Sequence, residues 1–331
     1  MAAALHMKAI QLIANERALE LREIDTPTVG AEEIRVDIRA AGICHSDAHY
    51  RRGGPRLGAF PLTLGHEVAG IVAERGANVR DVSVGDRVAL HYLVTCGSCA
   101  PCAKHGEQFC AAGEMIGKDR HGGYAESIVI PARNAIRVPD AIPLEHAAVM
   151  MCSTATAFHA LRLASFARGE SLAILGFGGL GMSALLLAQK LGAANVFVIE
   201  RNEAKRAAAK NLGATVVDDL RDVDVALDFI GNPELCTRAL RGLAPGGRLM
   251  LVALSTIGFD FNPYRDLLGR ETRIIGCSDH LRSELEELMS LGLDLGHAVT
   301  RTVPFDASAI NVVLDELDAG TTPHFRTVIT R

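Results

Sequence analysis

From Lys8 to about Met150 the chain consists of short apolar or alternating runs broken by Gly, Pro and Asp. Glu33 to Arg39, Glu67 to Ala73 and Arg87 to Leu90 are runs of this type, and their spacing predicts a mostly β domain. Near Met151 the pattern changes. Ser171 to Leu175 reads as a buried strand, Leu180 to Leu191 as a helix stopped by Gly192, and Asn195 to Ile199 as the next strand. Glu203 to Leu212 follows as a helix ending at Gly213. Ala214 to Val217, Val223 to Ile230, Arg248 to Leu254 and Arg273 to Cys277 then supply further strands, six in all. Strands alternating with helices are the mark of βαβ units, so the expected class is α/β, a β domain followed by a doubly wound parallel sheet. After Ser278, Leu281 to Leu291 reads as a helix and Phe325 to Thr330 as a β-type run.

The 331 residues, 49% of them hydrophobic, are enough for two domains with separate cores. A formal net charge of −5 argues against a nucleic-acid or other polyanionic partner. The longest apolar runs, such as Ser183 to Ala188, are too short to cross a bilayer, so no membrane association is expected. No secretory signal is read in the opening residues. His6-Met7 reads as a cloning junction with Met7 as the natural start, and the chain as cytoplasmic.

Between the first strand and helix of the second half lies Gly176-Phe-Gly178-Gly-Leu-Gly181, which fits G-x-G-x-x-G. The motif is weak alone. Here it joins a strand to a helix, and Glu200 ends the next strand 24 positions after Gly176, as in a dinucleotide-binding unit. The helix N-terminus would face a pyrophosphate, and Glu200 would accept hydrogen bonds from the adenosine ribose. A carboxylate there repels a 2′-phosphate, which favours NAD over NADP; Arg201 beside it pulls the other way.

Cys96, Cys99, Cys102 and Cys110 form a C-x2-C-x2-C-x7-C ladder. Four thiolates complete a tetrahedral Zn²⁺, so the ladder reads as a closed structural site. Two disulfides or a nucleic-acid zinc knuckle are the competing readings. With no secretory signal and 39 acidic against 34 basic residues, zinc is favoured. Cys44, His66 and Cys152 form a second set, mixed in type, that would hold a zinc with its fourth position open for chemistry. Each of these alone would read as a buried core residue.

With both ligand sets and the glycine motif in hand, the chain resembles the zinc-containing alcohol dehydrogenases of the medium-chain dehydrogenase/reductase superfamily over nearly its whole length. That resemblance implies a GroES-like catalytic domain at residues 1–152, a Rossmann domain at 153–278 and a C-terminal segment, 279–331, returning to the catalytic domain. It implies a catalytic zinc on Cys44, His66 and Cys152 and a structural zinc on Cys96, Cys99, Cys102 and Cys110. Cys152 in place of Glu separates the chain from the usual polyol dehydrogenases of the superfamily. By the same resemblance Ser46 touches the substrate oxygen, His49 passes the proton to solvent, Asp47 orients the zinc-bound histidine and Glu67 approaches the metal during ligand exchange. Lys205 is implied as a ribose contact, Thr156 as a nicotinamide contact, Arg326 as a pyrophosphate contact and Tyr92 as a substrate-pocket aromatic, while His45 stands at a pyrophosphate-contacting, cofactor-binding position where some relatives have arginine, a departure that implies looser cofactor binding. Surface or packing duty is the alternative for Tyr92, Thr156 and Lys205. Cys236 and Cys277 match no ligand position and read as small buried residues.

The expected activity is reversible oxidation of primary or secondary alcohols by NAD, with an alcohol, aldehyde or ketone as the small-molecule partner. A polyol, threonine or formaldehyde-type dehydrogenase is the rival within the class, and a non-catalytic NAD-binding protein the rival outside it. The 41 residues between Cys110 and Cys152, without the longer insertion of the dimeric animal enzymes, imply by resemblance a homotetramer.

Overall fold

Glu33–Ile43 is the longest strand of the first half, and its two parts are buried differently. Ile34, Val36 and Ile38 alternate with less buried neighbours, as expected of a strand with one solvated face, whereas Ala40 to Ile43 are buried throughout. The helix Leu144–Val149 packs against this strand. The computed structural model containing these elements describes residues 6–54 and 56–331, so Met1 to Leu5, part of the reading of the chain's start, lie outside the described residues.

The chain divides into two compact units: Met1–Cys152 with Leu281–Gly292 and Val299–Arg331, and Ser153–His280 with Leu293–Ala298. In the first unit, Glu33–Ile43 pairs antiparallel with Glu67–Arg75, with Ser127–Pro131 and with the C-terminal strand Arg326–Thr330. Val299–Pro304 lies parallel to that last strand. The register sets Gly42 opposite both Glu67 and Val328, so three distant stretches of sequence meet at one end of the sheet. A small sheet of Glu20–Asp25, His6–Leu12 and Leu62–Thr63 stands beside it.

The second unit is a six-stranded parallel sheet. Its order is Thr215–Val216, Asn195–Ile199, Ser171–Leu175, Val223–Asp228, Leu243–Leu251 and Arg273–Gly276. Numbered along the chain this is 3-2-1-4-5-6, the doubly wound order with its switch point beside the first strand. The fifth strand begins five residues before its predicted start, since the register shift between Val223 and Val225 lets the chain pair through Gly246-Gly247. Two helices outside the sequence reading, Pro233–Arg241 and Ala307–Asp318, carry ordinary start signals. The side chains of Asn232 and Asp306 accept the backbone N–H of Leu235 and Ala309, both at 2.9 Å. Among the described residues no helix is long and apolar enough to cross a membrane.

Candidate active site

The local fold brings Cys44, His66 and Cys152 together. Cys44 ends the long strand and stands before the short helix His45–Arg51, in extended backbone. His66 lies in the turn entering Glu67–Arg75, and Cys152 sits in a π-helical turn, Met150–Thr154. Such turns widen the helix by one residue and re-aim a side chain, and they recur at functional sites. One ligand atom from each of Cys44, His66, Glu67 and Cys152 lies within 4.8 Å of every other.

Metal binding requires donor atoms with no competing protein partner. His66 is fully buried, and its Nε2 has no hydrogen-bond partner among the described residues. Its Nδ1 lies 3.3 Å from Oδ1 of the fully buried Asp47, a charge contact not aligned as a hydrogen bond, with the carboxylate placed where such a group can orient a metal-binding imidazole. The two thiols share their protons unequally. A hydrogen bond from Cys152 outweighs burial and, with His66 nearby, holds the Cys44 thiol well below its ordinary pKa. Cys152 is held correspondingly high by Cys44 and by burial. Cys44 is therefore the more readily ionised of the two thiols. This donor set fits zinc.

Glu67 and Arg326 close the site on the sheet side. Both are buried, and the Arg326 guanidinium donates to Glu67 Oε2. A Cβ at position 42 would come within 1.9 Å of that oxygen, so only glycine lets the carboxylate lie across the strand. Glu67 Oε1 has no partner among the described residues. Burial, opposed by Arg326, pushes the Glu67 carboxyl up to about 7.

Ser46 Oγ lies 3.8 Å from Cys44 Sγ, and His45 and His49 are exposed on the same short helix with their rings stacked 4.7 Å apart. Tyr92 is buried with its ring edge-on to His66, the ring centroids 5.6 Å apart. Sequence reasoning missed Tyr124, a fully buried residue whose hydroxyl donates to Asp47 Oδ2 at 2.9 Å. Its only mark in the sequence is a phenol in a run that must enter the core, where a hydroxyl needs an acceptor.

In the four-cysteine lobe the four sulfurs lie within 4.8 Å of one another. Cys99 to Cys102, Cys99 to Cys110 and Cys96 to Cys110 are separated by 3.5, 3.8 and 3.6 Å between sulfurs. Zn–S bonds of about 2.3 Å give a tetrahedron edge of about 3.8 Å, so one zinc ion fits. The N–H groups of Cys96 and Cys99 point at neighbouring sulfurs, at 3.4 and 3.3 Å, as stabilised thiolates require.

In the second unit Gly176 has φ +93°, and a Cβ on Gly181 would lie 2.2 Å from the Gly176 carbonyl, so both positions require glycine. At Gly178 a Cβ would meet nothing within 4 Å, which leaves that backbone open to a pyrophosphate at the start of the helix Gly179–Leu191. The Glu200 carboxylate accepts the N–H of Phe177 at 2.8 Å, of Arg201 at 2.8 Å and of Asn202 at 2.9 Å, tying the strand end to the glycine loop. Lys205 lies on the helix Glu203–Asn211 and Thr156 on Ala155–Leu163, both half-buried.

The family models agree with this architecture. Residues 30–140 match the alcohol dehydrogenase GroES-like domain and residues 179–294 the zinc-binding dehydrogenase domain. The chain belongs to the zinc-containing dehydrogenases of the medium-chain dehydrogenase/reductase superfamily, and is an oxidoreductase of that class. It is 30% identical to an alcohol dehydrogenase of Geobacillus stearothermophilus over 329 residues, covering 95% of this chain and 96% of that one. An L-threonine 3-dehydrogenase of Bacillus velezensis is 29% identical over 323 residues, 91% of this chain and 93% of that one. The solved structure of a zinc-binding dehydrogenase from Sinorhizobium meliloti bound to NADP is similar with a TM-score of 0.88 at 26% identity, over 99% of this chain and 100% of that one.

Proposed function

We propose that this chain is an alcohol dehydrogenase, oxidising primary or secondary alcohols reversibly to aldehydes or ketones with NAD as hydride acceptor. The observation that carries the reading is the cluster of Cys44, His66 and Cys152, with Glu67 in the same group but paired to Arg326; three protein ligands would leave a metal one open position. Zinc bound there supplies Lewis acidity, of the kind that brings the pKa of water down to about 7. Cys96, Cys99, Cys102 and Cys110 would hold a second zinc ion with no position open. Ser46, beside Cys44, would take the substrate proton toward His49, three residues along the same helix and exposed to solvent. Asp47 holds the His66 ring in place throughout. The glycine loop would bind the pyrophosphate, and Glu200 the adenosine ribose. Glu200's fixed carboxylate supports NAD; Arg201 beside it, and the NADP held by the Sinorhizobium meliloti relative, support NADP as the second cofactor reading. Similarity to a threonine 3-dehydrogenase supports an amino alcohol as the second substrate reading. A cytoplasmic homotetramer completes the proposal, the tetramer resting on resemblance alone.

The test is formation of reduced nicotinamide by zinc-replete protein across primary and secondary alcohols, diols and L-threonine, each with NAD and with NADP. Oxidation of simple alcohols with NAD supports the proposal. No turnover of any member in either direction would overturn it.

A further inference from the structure

We infer that Tyr124 is a positioning residue for the metal centre, its hydroxyl fixing Asp47 and its ring fixing the backbone of Gly65, so that His66 is held from two sides. The inference rests on the zinc-site reading above and adds a residue to it.

Asp47 is fully buried, and its carboxylate meets four groups at this corner. Oδ2 accepts the Cys44 N–H at 2.9 Å and the Tyr124 hydroxyl at 2.9 Å. Oδ1 accepts the Gly65 N–H at 3.3 Å and faces His66 Nδ1 at 3.3 Å. One carboxylate thus ties together the residue before His66, His66 itself and the backbone of the ligand Cys44. Without Tyr124 one lone pair of this buried anion would have no donor, and buried charges need every available bond.

The ring acts separately. Gly65 has φ +91°, and a Cβ there would come within 2.4 Å of the Tyr124 ring. The ring therefore fills the space beside Gly65 and holds the turn that delivers His66. Backbone bonds anchor the tyrosine in turn: its N–H donates to the Leu64 carbonyl at 3.0 Å and its carbonyl accepts the Ile10 N–H at 2.7 Å. Burial, reinforced by Asp47, holds the phenol well above its ordinary pKa, so it stays a neutral donor.

The ring and hydroxyl can be separated. Tyr124→Phe keeps the packing and removes only the bond to Asp47. A partner one bond beyond the ligand typically changes metal affinity 10–100-fold, and one bond further out the effect should be smaller, so zinc should pass to a chromogenic chelator up to about tenfold faster. The visible spectrum of the cobalt-substituted protein should shift, because the His66 ring is less firmly oriented; a merely structural tyrosine would leave that spectrum alone. A fluorinated tyrosine at 124, a stronger donor at the same place, should slow metal release and keep the inference testable if the phenylalanine variant does not fold.

Unaltered release and an unaltered cobalt spectrum in both variants, with wild-type metal-replete, would overturn the role of Tyr124 alone. A wild-type protein that binds metal but oxidises no alcohol would overturn the proposed function, while a shifted cobalt spectrum would still support Tyr124. Failure of the wild-type protein to bind metal at Cys44, His66 and Cys152 would overturn both.

Discussion

Arg326, on the C-terminal strand, forms a buried ion pair with Glu67, the residue next to His66, although 259 positions of sequence separate them. Pairing of Arg326–Thr330 with Glu33–Ile43 is what creates the contact. The guanidinium therefore has a structural partner, besides the pyrophosphate contact that resemblance assigns to it.

The two roles give different results for Arg326→Gln. Loss of the Glu67 partner strands a buried carboxylate beside the ligands, which should weaken zinc retention and lower kcat/KM by about 10–100-fold. Loss of a pyrophosphate contact should raise KM for the cofactor and leave zinc content intact. Zinc titration and cofactor KM measured on the same preparation separate them.

His49→Gln should keep full zinc content and cofactor binding while slowing alcohol oxidation, by at most about 10²–10⁴-fold, the range for a positioned acid–base group. The loss should be greatest below neutral pH, where solvent base is scarce. An unchanged pH–rate profile would show that the exposed histidine stacked on His45 is a bystander, and loss of zinc would make it a ligand.

Glu200→Ala should relax the choice between NAD and NADP. Removing a carboxylate that accepts ribose hydroxyls costs about 1.5–3 kcal/mol, or roughly 10–100-fold in kcat/KM with NAD. The same change removes the repulsion of a 2′-phosphate. The ratio of kcat/KM values for the two cofactors is the measurement, and a wild-type preference for NADP would show that Arg201 prevails.

Arg248 and Glu170 offer a pH-dependent stability test away from the chemistry. The guanidinium donates to both Glu170 oxygens, at 2.9 and 2.7 Å, and to the Ala164 carbonyl at 2.9 Å. Burial would raise the Glu170 carboxyl, but the bonds from Arg248 and Ala167 prevail and hold it below its ordinary value of 4.5. Its folded pKa is depressed, so its stabilisation is fully present above pH 4.5 and is lost as pH falls through the folded value. Arg248→Met should cost about 2–4 kcal/mol near neutrality. The gap in thermal midpoint between the variant and wild type should narrow below pH 4.5; a gap that widens there would contradict the pairing.

The sequence makes the parallel sheet plain because its strands are buried on both faces and read as short apolar blocks, such as Leu172 to Leu175, next to a glycine loop. The ligand sets are legible through spacing for the four-cysteine lobe. For Cys44, His66 and Cys152 only their company, and the resemblance it supports, distinguishes them from core residues. The contact of Tyr124 with Asp47 and the partnership of Glu67 with Arg326 are not legible in the sequence, since each joins residues more than 75 positions apart, which no local pattern encodes. The helix Ala307–Asp318 was open to recognition through its Asp306 cap.

Zinc content measured alongside alcohol-dependent reduction of NAD tests the central claim most directly. Two zinc ions per chain are expected in freshly purified wild-type protein. Cys44→Ser should lose one ion and all but a trace of activity, while Cys99→Ser should lose one ion and show a lowered thermal midpoint with less effect on the chemical step. Full alcohol oxidation by Cys44→Ser protein, or by protein with no metal at that site, would contradict the assignment of Cys44, His66 and Cys152 as the catalytic centre.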